Sequence, residues 1–198
     1  DLGCGTGRFA VRLAERGLRV YGVDGHPELL ARAASRSGDV EWVHAPVDAV
    51  PLRDACCDLV VSLDVLEHVE PGPFLSEVVR ILKPGGSLLL SVPAGPALWS
   101  RLDEAAGHRC RYTLALLRQE VTAAGLEVRR WTHYQLLLFP LIALSRRIGR
   151  RCEVAGERRH PAWWGRLLGA VNHLERRVLG GLSLPVGSSL IARCARVS

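Results

Sequence analysis

The sequence predicts a doubly wound, mostly parallel α/β sheet with helices on both faces, and three observations carry that prediction. Asp1-Leu2-Gly3-Cys4-Gly5-Thr6-Gly7 sets three alternate glycines between an acidic residue and an amphipathic helix. Such a loop turns sharply and lets a flat ligand lie directly on the main chain. Short apolar runs then alternate with stretches of helical periodicity, as strand, helix and parallel strand do in crossover units. Asp24 ends the first apolar run about twenty residues after the loop, where nucleoside-binding folds keep a carboxylate that accepts two hydrogen bonds from a vicinal diol. The spacing is Gly-x-Gly-x-Gly, with Arg8 where a dinucleotide loop needs its third glycine, and this argues against NAD and FAD.

In chain order, Phe9, Ala10, Leu13 and Ala14 recur at helical spacing until Arg16-Gly17. Leu18 to Val23 reads as a strand, and a helix N-cap ahead of Pro27 is the competing role for Asp24. A helix is expected from Pro27 to about Ser35, stopped by Gly38, followed by a strand at Val40 to Val43. Asp58 to Ser62 is the continuous apolar run of a buried parallel strand, so Leu63 and Asp64 fall at its carboxyl end, where open α/β sheets bind ligands. The helix expected next carries Glu67 and His68.

Pro73 opens a helix whose Phe74, Val78, Ile81 and Leu82 share a face; Lys83-Pro84-Gly85-Gly86 is its exit turn, and Ser87 to Val92 a strand. Pro93 to Thr113 reads as a long polar loop at the same sheet edge as the glycines, and loops of that length are usually functional. Within it Trp99, Asp103, His108, Arg109, Arg111 and Tyr112 are candidates for an acceptor pocket: arginine for a carboxylate or phosphate, histidine for proton transfer, aromatic rings for walls. Thr113 caps a helix that runs through Ala124, Gly125 closes it, and Leu126 to Val128 opens a strand.

The chain divides into a core at 1–134, a helical insert at 135–182 and a last strand at 183–198. The insert holds the apolar run Leu136 to Leu144, then Arg146, Arg147, Arg150 and Arg151, and a helix from Pro161 to Leu179 with Trp163 and Trp164. The run is too short for a bilayer, which takes about twenty residues. The insert is read either as a lid on the domain or as a helix at a membrane interface, where each basic residue near anionic lipid adds about 1 kcal/mol.

A hydrophobic share of 48% with 23% charged residues fits one globular domain. The net charge of +6 would suit nucleic acid or anionic lipid, but Lys83 is the only lysine among many arginines, a bias that need not be functional. The 6 cysteines show no paired metal spacing, and Cys56-Cys57 is a poor structural disulfide. Reduced thiols and a cytoplasmic location are expected.

Three segments resemble class I S-adenosylmethionine-dependent methyltransferases. Asp1 to Gly7 is similar to that family's first motif, and Leu63-Asp64-Val65-Leu66-Glu67-His68-Val69 and Leu82-Lys83-Pro84-Gly85-Gly86 look like its small-molecule, type 11-like branch; Leu184 to Leu190 suits a final strand. The resemblance implies a Rossmann-like methyltransferase fold with an antiparallel last strand, and S-adenosyl-L-methionine as cofactor. On that pattern the cofactor lies across Gly3, Cys4, Gly5 and Gly7, with its ribose on Asp24 beside Gly25, its amino-acid end facing Asp1, and Ser62 and Leu63 alongside. The place of the family's adenine-binding acid holds Ala45-Pro46, so either Asp48 reaches round or the backbone near Val47 reads the adenine edge.

In one quinone-methylating branch an acidic residue joins a Glu-His pair on a divalent metal, and Asp64, Glu67 and His68 fit that pattern. Many relatives share Leu-Glu-His-Val without a metal, so none is expected. His108 and His68 are the candidate bases for an acceptor hydroxyl, with His133 behind them, and Trp99, Arg109, Arg111 and Tyr112 the candidate acceptor residues. The expected partner is a small-molecule acceptor, lipid-like or quinone-like, with possible peripheral membrane contact through the insert. Nucleic acid is not expected, because the strand end lacks Asn/Asp-Pro-Pro-Tyr. A non-catalytic cofactor-binding protein of the same fold and a nucleic-acid methylase are the alternatives. In this fold the glycine loop follows a central first strand, and with Asp1 opening the sequence that strand is expected to be missing.

Overall fold

The computed structural model describes residues 1–149, 162–179 and 181–197. Its organising feature is the two-residue segment ahead of the glycines. Leu2 bridges in parallel to Val23 of β1 (Val20–Asp24) and donates its amide to the Val61 carbonyl of β3 (Cys57–Leu63) at 2.8 Å. On one side of it β1 pairs in parallel with β2 (Val40–His44). On the other, a four-stranded sheet runs in the order β3, β4 (Leu82–Pro93), β6 (Ser189–Arg196), β5 (Leu126–Tyr134). Strands β3 and β4 are parallel, whereas β6 enters antiparallel to both β4 and β5.

Between β1 and β3 the sheet opens into a cleft of about 400 Å³, lined by Leu2, Val20, Val23, Leu59, Val60 and Val61 among others. The run Asp58 to Ser62 was expected to be buried throughout, yet Leu59 is 43% exposed. Its flank faces this cleft, and only from Val60 onward do neighbours cover both faces.

The helices follow their sequence signals with small shifts. They are α1 (Arg8–Ala14), α2 (Pro27–Ala34), α3 (Pro71–Ile81) and α5 (Leu114–Ala123). Helix α3 starts at Pro71 rather than Pro73, because proline's fixed φ suits the first turn and its missing N–H is no loss there. Phe74, Leu75, Val78 and Ile81 then face the main core with Leu2, Val23, Val60, Leu88, Leu90 and Leu190. The expected exit turn at 83–86 lies inside β4, since Leu82 already pairs with Cys57. Gly86 is needed there: a Cβ would stand 2.9 Å from the Lys83 carbonyl oxygen. Glu67 and His68 sit on a single 3-10 turn, Leu66–His68, instead of a longer helix.

The stretch 93–113 is folded, which corrects its reading as an open loop. A 3-10 turn at Pro96–Leu98 leads into α4 (Arg101–Ala105), whose start carries reciprocal Ser100 and Asp103 capping bonds, and a bridge from Ala94 to Tyr112 closes the segment. The insert is helical as expected, with α6 (Phe139–Gly149) and α7 (Ala162–Leu179). Buried Glu175 of α7 accepts from the amides of Gln135 at 2.7 Å and Leu137 at 2.9 Å, tying α7 to the insert's entry. Arg150, Arg151, Cys152 and Pro161, and the side chains of Arg147, Trp163 and Trp164, lie outside the described residues. Among the described residues no helix is long and apolar enough to cross a membrane.

Candidate active site

The glycine loop ends β1's neighbour segment and feeds α1, and all three of its glycines have positive φ: +73° at Gly3, +54° at Gly5 and +73° at Gly7. Their absent Cβ atoms serve different ends. A Cβ on Gly3 would lie 2.4 Å from a Val65 methyl, and one on Gly7 would lie 2.3 Å from the Trp42 ring, but one on Gly5 would meet nothing within 4 Å. The sequence reading spread one flat ligand over all three glycines. The structure leaves bare, open backbone at Gly5 and packs the protein's own side chains against the other two. Trp42 also covers Gly22, where a Cβ would come within 2.5 Å of the ring. Sequence reasoning missed this role; a tryptophan in β2 opposite a glycine in β1 was its only trace.

Asp24 ends β1 beside the loop, as expected, and is 6% exposed. Its Oδ2 accepts from the Gly5 amide at 2.8 Å, and its Oδ1 from the His26 amide at 2.9 Å. Oδ1 also faces His26 Nδ1 at 3.1 Å, so Asp24 locks the loop's shape and Oδ2 keeps a further lone pair. Burial and the Asp24 charge push the Cys4 thiol up to about 11, so it stays neutral. Gly25 and Asp48 are exposed, Val47 and Leu63 half-buried, all at the carboxyl edge of the strands. Ser62 is 1% exposed and its hydroxyl has no hydrogen-bond partner among the described residues. Asp1 is half-exposed, and its amino group donates to the Tyr21 carbonyl at 2.8 Å.

The 93–113 segment converges on Asp103, which is fully buried. Oδ1 accepts from Arg111 Nε at 2.9 Å and lies 3.1 Å from His108 Nδ1; Oδ2 accepts from the Ser100 amide and from Arg146 Nη1 of α6, each at 2.9 Å. Burial alone would raise this carboxyl, but Arg111, Arg146 and the Ser100 amide outweigh it and hold it below the usual carboxylate range. Arg111 is thereby withdrawn from the acceptor-binding role expected of it: 5% exposed, it spends its guanidinium on Asp103 and the Ala94 carbonyl. Tyr112 is corrected likewise, being 1% exposed and part of the main core. Arg109 is exposed and paired with Glu70, and Trp99 is half-buried with its Nε1 donating to Glu104 at 3.2 Å.

His108 and His68 do come together, their rings edge to face with centroids 4.8 Å apart. Glu67, on the same turn as His68, is 1% exposed, and its Oε2 has no hydrogen-bond partner among the described residues. Burial pushes the Glu67 carboxyl up to about 7, and burial with the neighbouring His68 lowers the His108 imidazole. Neutral His108 has an ionised carboxylate facing Nδ1, which assigns the proton to Nδ1 and leaves a lone pair on Nε2. One donor atom each from Glu67, His68 and His108 lies within 4.8 Å of the others. Asp64, expected in a metal set with Glu67 and His68, is not of that group; at φ +56° it accepts from Ser91 Oγ at 2.9 Å. His133 lies on β5 against Trp131 and the Leu184 carbonyl, apart from the cluster.

A bare glycine at a helix entry, an acid at the next strand end and a histidine-carboxylate cluster at the carboxyl edge of the strands sit on an α/β protein of the doubly wound class. Residues 1–90 match the family model described as a methyltransferase domain. Over 94 residues the chain is 37% identical to a probable S-adenosylmethionine-dependent methyltransferase of Mycolicibacterium smegmatis, a stretch covering 47% of this chain and 37% of that protein. Over 180 residues it is 33% identical to an uncharacterised methyltransferase of Mycobacterium leprae, covering 83% of this chain and 63% of that one. The matched stretch thus spans less than two thirds of these relatives' length. A solved S-adenosylmethionine-dependent methyltransferase from Mesorhizobium loti shares the fold, with TM-score 0.67 at 19% identity over 99% of this chain and 89% of that one. The first 90 residues thus resemble a methyltransferase domain, and the fold is the one that solved S-adenosylmethionine-dependent methyltransferases adopt.

Proposed function

We propose that this chain transfers a methyl group from S-adenosyl-L-methionine to a small, lipid-like or quinone-like acceptor. The observation that carries the reading is the open, side-chain-free face at Gly5, braced by Asp24 at 2.8 Å, on the same sheet edge as the Glu67, His68 and His108 cluster. The residues fit the cofactor. A Cβ at Gly5 would fill the one part of the loop that the protein leaves bare, and Asp24 Oδ2 keeps a lone pair for a ribose hydroxyl.

When bound, S-adenosyl-L-methionine supplies a methyl group already activated by the sulfonium charge. The chain's own work is alignment and proton handling. The Gly5 backbone and Asp24 orient the nucleoside, and holding two reactants in line can be worth about 7–11 kcal/mol. The cluster is where an acceptor hydroxyl loses its proton, since Nε2 of His108 carries a lone pair and Asp103 stabilises the imidazole through Nδ1. A greasy acceptor is favoured by α6, which Arg146 anchors to Ser100 at 2.7 Å while Leu141 and Leu144 remain exposed.

The test is incubation with isotopically labelled cofactor and separate quinone, lipid and polar metabolite fractions, with mass spectrometry of the labelled product. Label in a small molecule supports the reading. Cofactor binding with no transfer to any fraction supports a non-catalytic protein of the same fold instead.

A further inference from the structure

We propose that Glu67, His68 and His108 bind a divalent first-row transition cation, whose open positions take the oxygen of the methyl acceptor. The second half of this statement rests on the function proposed above; the cation site itself does not.

Three observations support it. Donor atoms of all three residues already lie within 4.8 Å of one another. Metal bonds of about 2.0–2.2 Å place neighbouring donors roughly 3.3 Å apart, so closure needs a modest side-chain movement, and His68 is exposed and able to turn. Glu67 Oε2 is the second observation: it sits in a residue only 1% exposed with no hydrogen-bond partner among the described residues. Buried polar atoms in native proteins nearly always have a partner, and a cation between Glu67 and the two imidazoles would be one.

The third is behind the site. Asp103 Oδ1 lies 3.1 Å from His108 Nδ1 and leaves Nε2 as the free nitrogen. A carboxylate on the far nitrogen of an imidazole is the usual support for a metal-ligating histidine, fixing its tautomer and raising its basicity. Asp103 is itself immobilised by Arg111, Arg146 and Ser100.

The donor types choose the ion. Two imidazole nitrogens and one carboxylate with open positions suit Zn²⁺, Mn²⁺, Co²⁺ or Fe²⁺, whereas Mg²⁺ and Ca²⁺ take oxygen ligands. A cation there would take the His108 Nε2 lone pair and replace it as the means of deprotonation: it would polarise a coordinated hydroxyl and lower its pKa, so that the acceptor gives its proton to water. That defines the acceptor further: it carries an oxygen able to ligate a metal, as a phenol, enol or carboxylate does.

The experiment uses the 198-residue chain, stripped with chelator and titrated with Co²⁺ as a visible probe. Expected are one Co²⁺ per chain with d–d absorption and no thiolate charge-transfer band, displacement by Zn²⁺, and none by millimolar Mg²⁺. His68→Ala and His108→Ala should each weaken Co²⁺ binding at least about tenfold, and Asp103→Asn about 10–100-fold. Asp64→Asn should change it far less than His108→Ala. Absence of Co²⁺ binding, or binding that His68→Ala leaves unchanged, overturns the proposal. Because His68 is exposed, its variant decides the matter even should His108→Ala fail to fold. Calorimetry with S-adenosyl-L-methionine on the same samples separates the two readings. Cofactor binding without a cation site sinks only this inference, and a cation site without cofactor binding sinks only the methyl-transfer reading.

Discussion

The glycine corner and the Asp103 corner lie on one edge of the sheet but are held together by different means. At the glycine corner, backbone amides do most of the work. Gly3 and Cys4 donate to the Val23 carbonyl at 2.8 and 2.9 Å, and Gly5 donates to Asp24. At the Asp103 corner, a buried carboxylate collects two guanidinium groups and an imidazole from elements as far as 43 residues away. The first corner fails on changes of backbone conformation, the second when one charge is lost.

That contrast is open to direct attack. The largest effect should come from Asp103→Ala, which leaves Arg111 and Arg146 facing each other without their carboxylate; removing one partner of a buried ion pair costs about 3–5 kcal/mol. Urea unfolding measures it, and a loss below about 1 kcal/mol would show that the network carries little.

Next is Gly7→Ala, expected to destabilise by about 1–3 kcal/mol through backbone strain at φ +73° and overlap with Trp42. Pairing it with Trp42→Val should recover part of the loss in the same unfolding assay, since the overlap is then relieved and the φ strain is not. Gly5→Val should instead act on binding. Asp24→Ala and Gly5→Val are each expected to raise the cofactor dissociation constant more than tenfold, about 1.4 kcal/mol. Calorimetry that finds affinity unchanged in both would remove the nucleoside from this corner.

The smallest effect lies outside both corners and calibrates them. Glu77 is held below the ordinary carboxylate range chiefly by hydrogen bonds from Arg80, and it also accepts from the Val50 amide at 2.6 Å. A depressed carboxyl contributes stability that is fully present above its unfolded value, here 4.5, and is lost as pH falls through the folded value. Wild type should therefore lose thermal stability relative to Glu77→Gln as pH drops below about 4.5. Melting curves of equal slope on the acid side would contradict this.

Legibility in the sequence followed the same divide. The loop, Asp24, the strand ends and the meeting of Glu67 with His68 were readable because each depends on residues close together in the chain. The 93–113 stretch misled because polar residues look solvent-facing when read singly. Arg111 and Tyr112 were assigned to an acceptor and are in fact buried, since Asp103 supplies the counter-charge that lets a guanidinium leave water. Trp42 was missed because nothing local to β2 says that two glycines lie beneath its ring.

The amino-acid sequence by itself determined the alternation of elements, the positive-φ turn at the glycines and the acid at the end of β1, because backbone conformation and hydrophobic periodicity are local properties. Tertiary structure alone decided which glycine stays bare, that His108 joins Glu67 and His68 in place of Asp64, and that Arg146 reaches Asp103. Those outcomes depend on which distant side chains exclude water from one another, and that is settled only when the sheet and the insert pack.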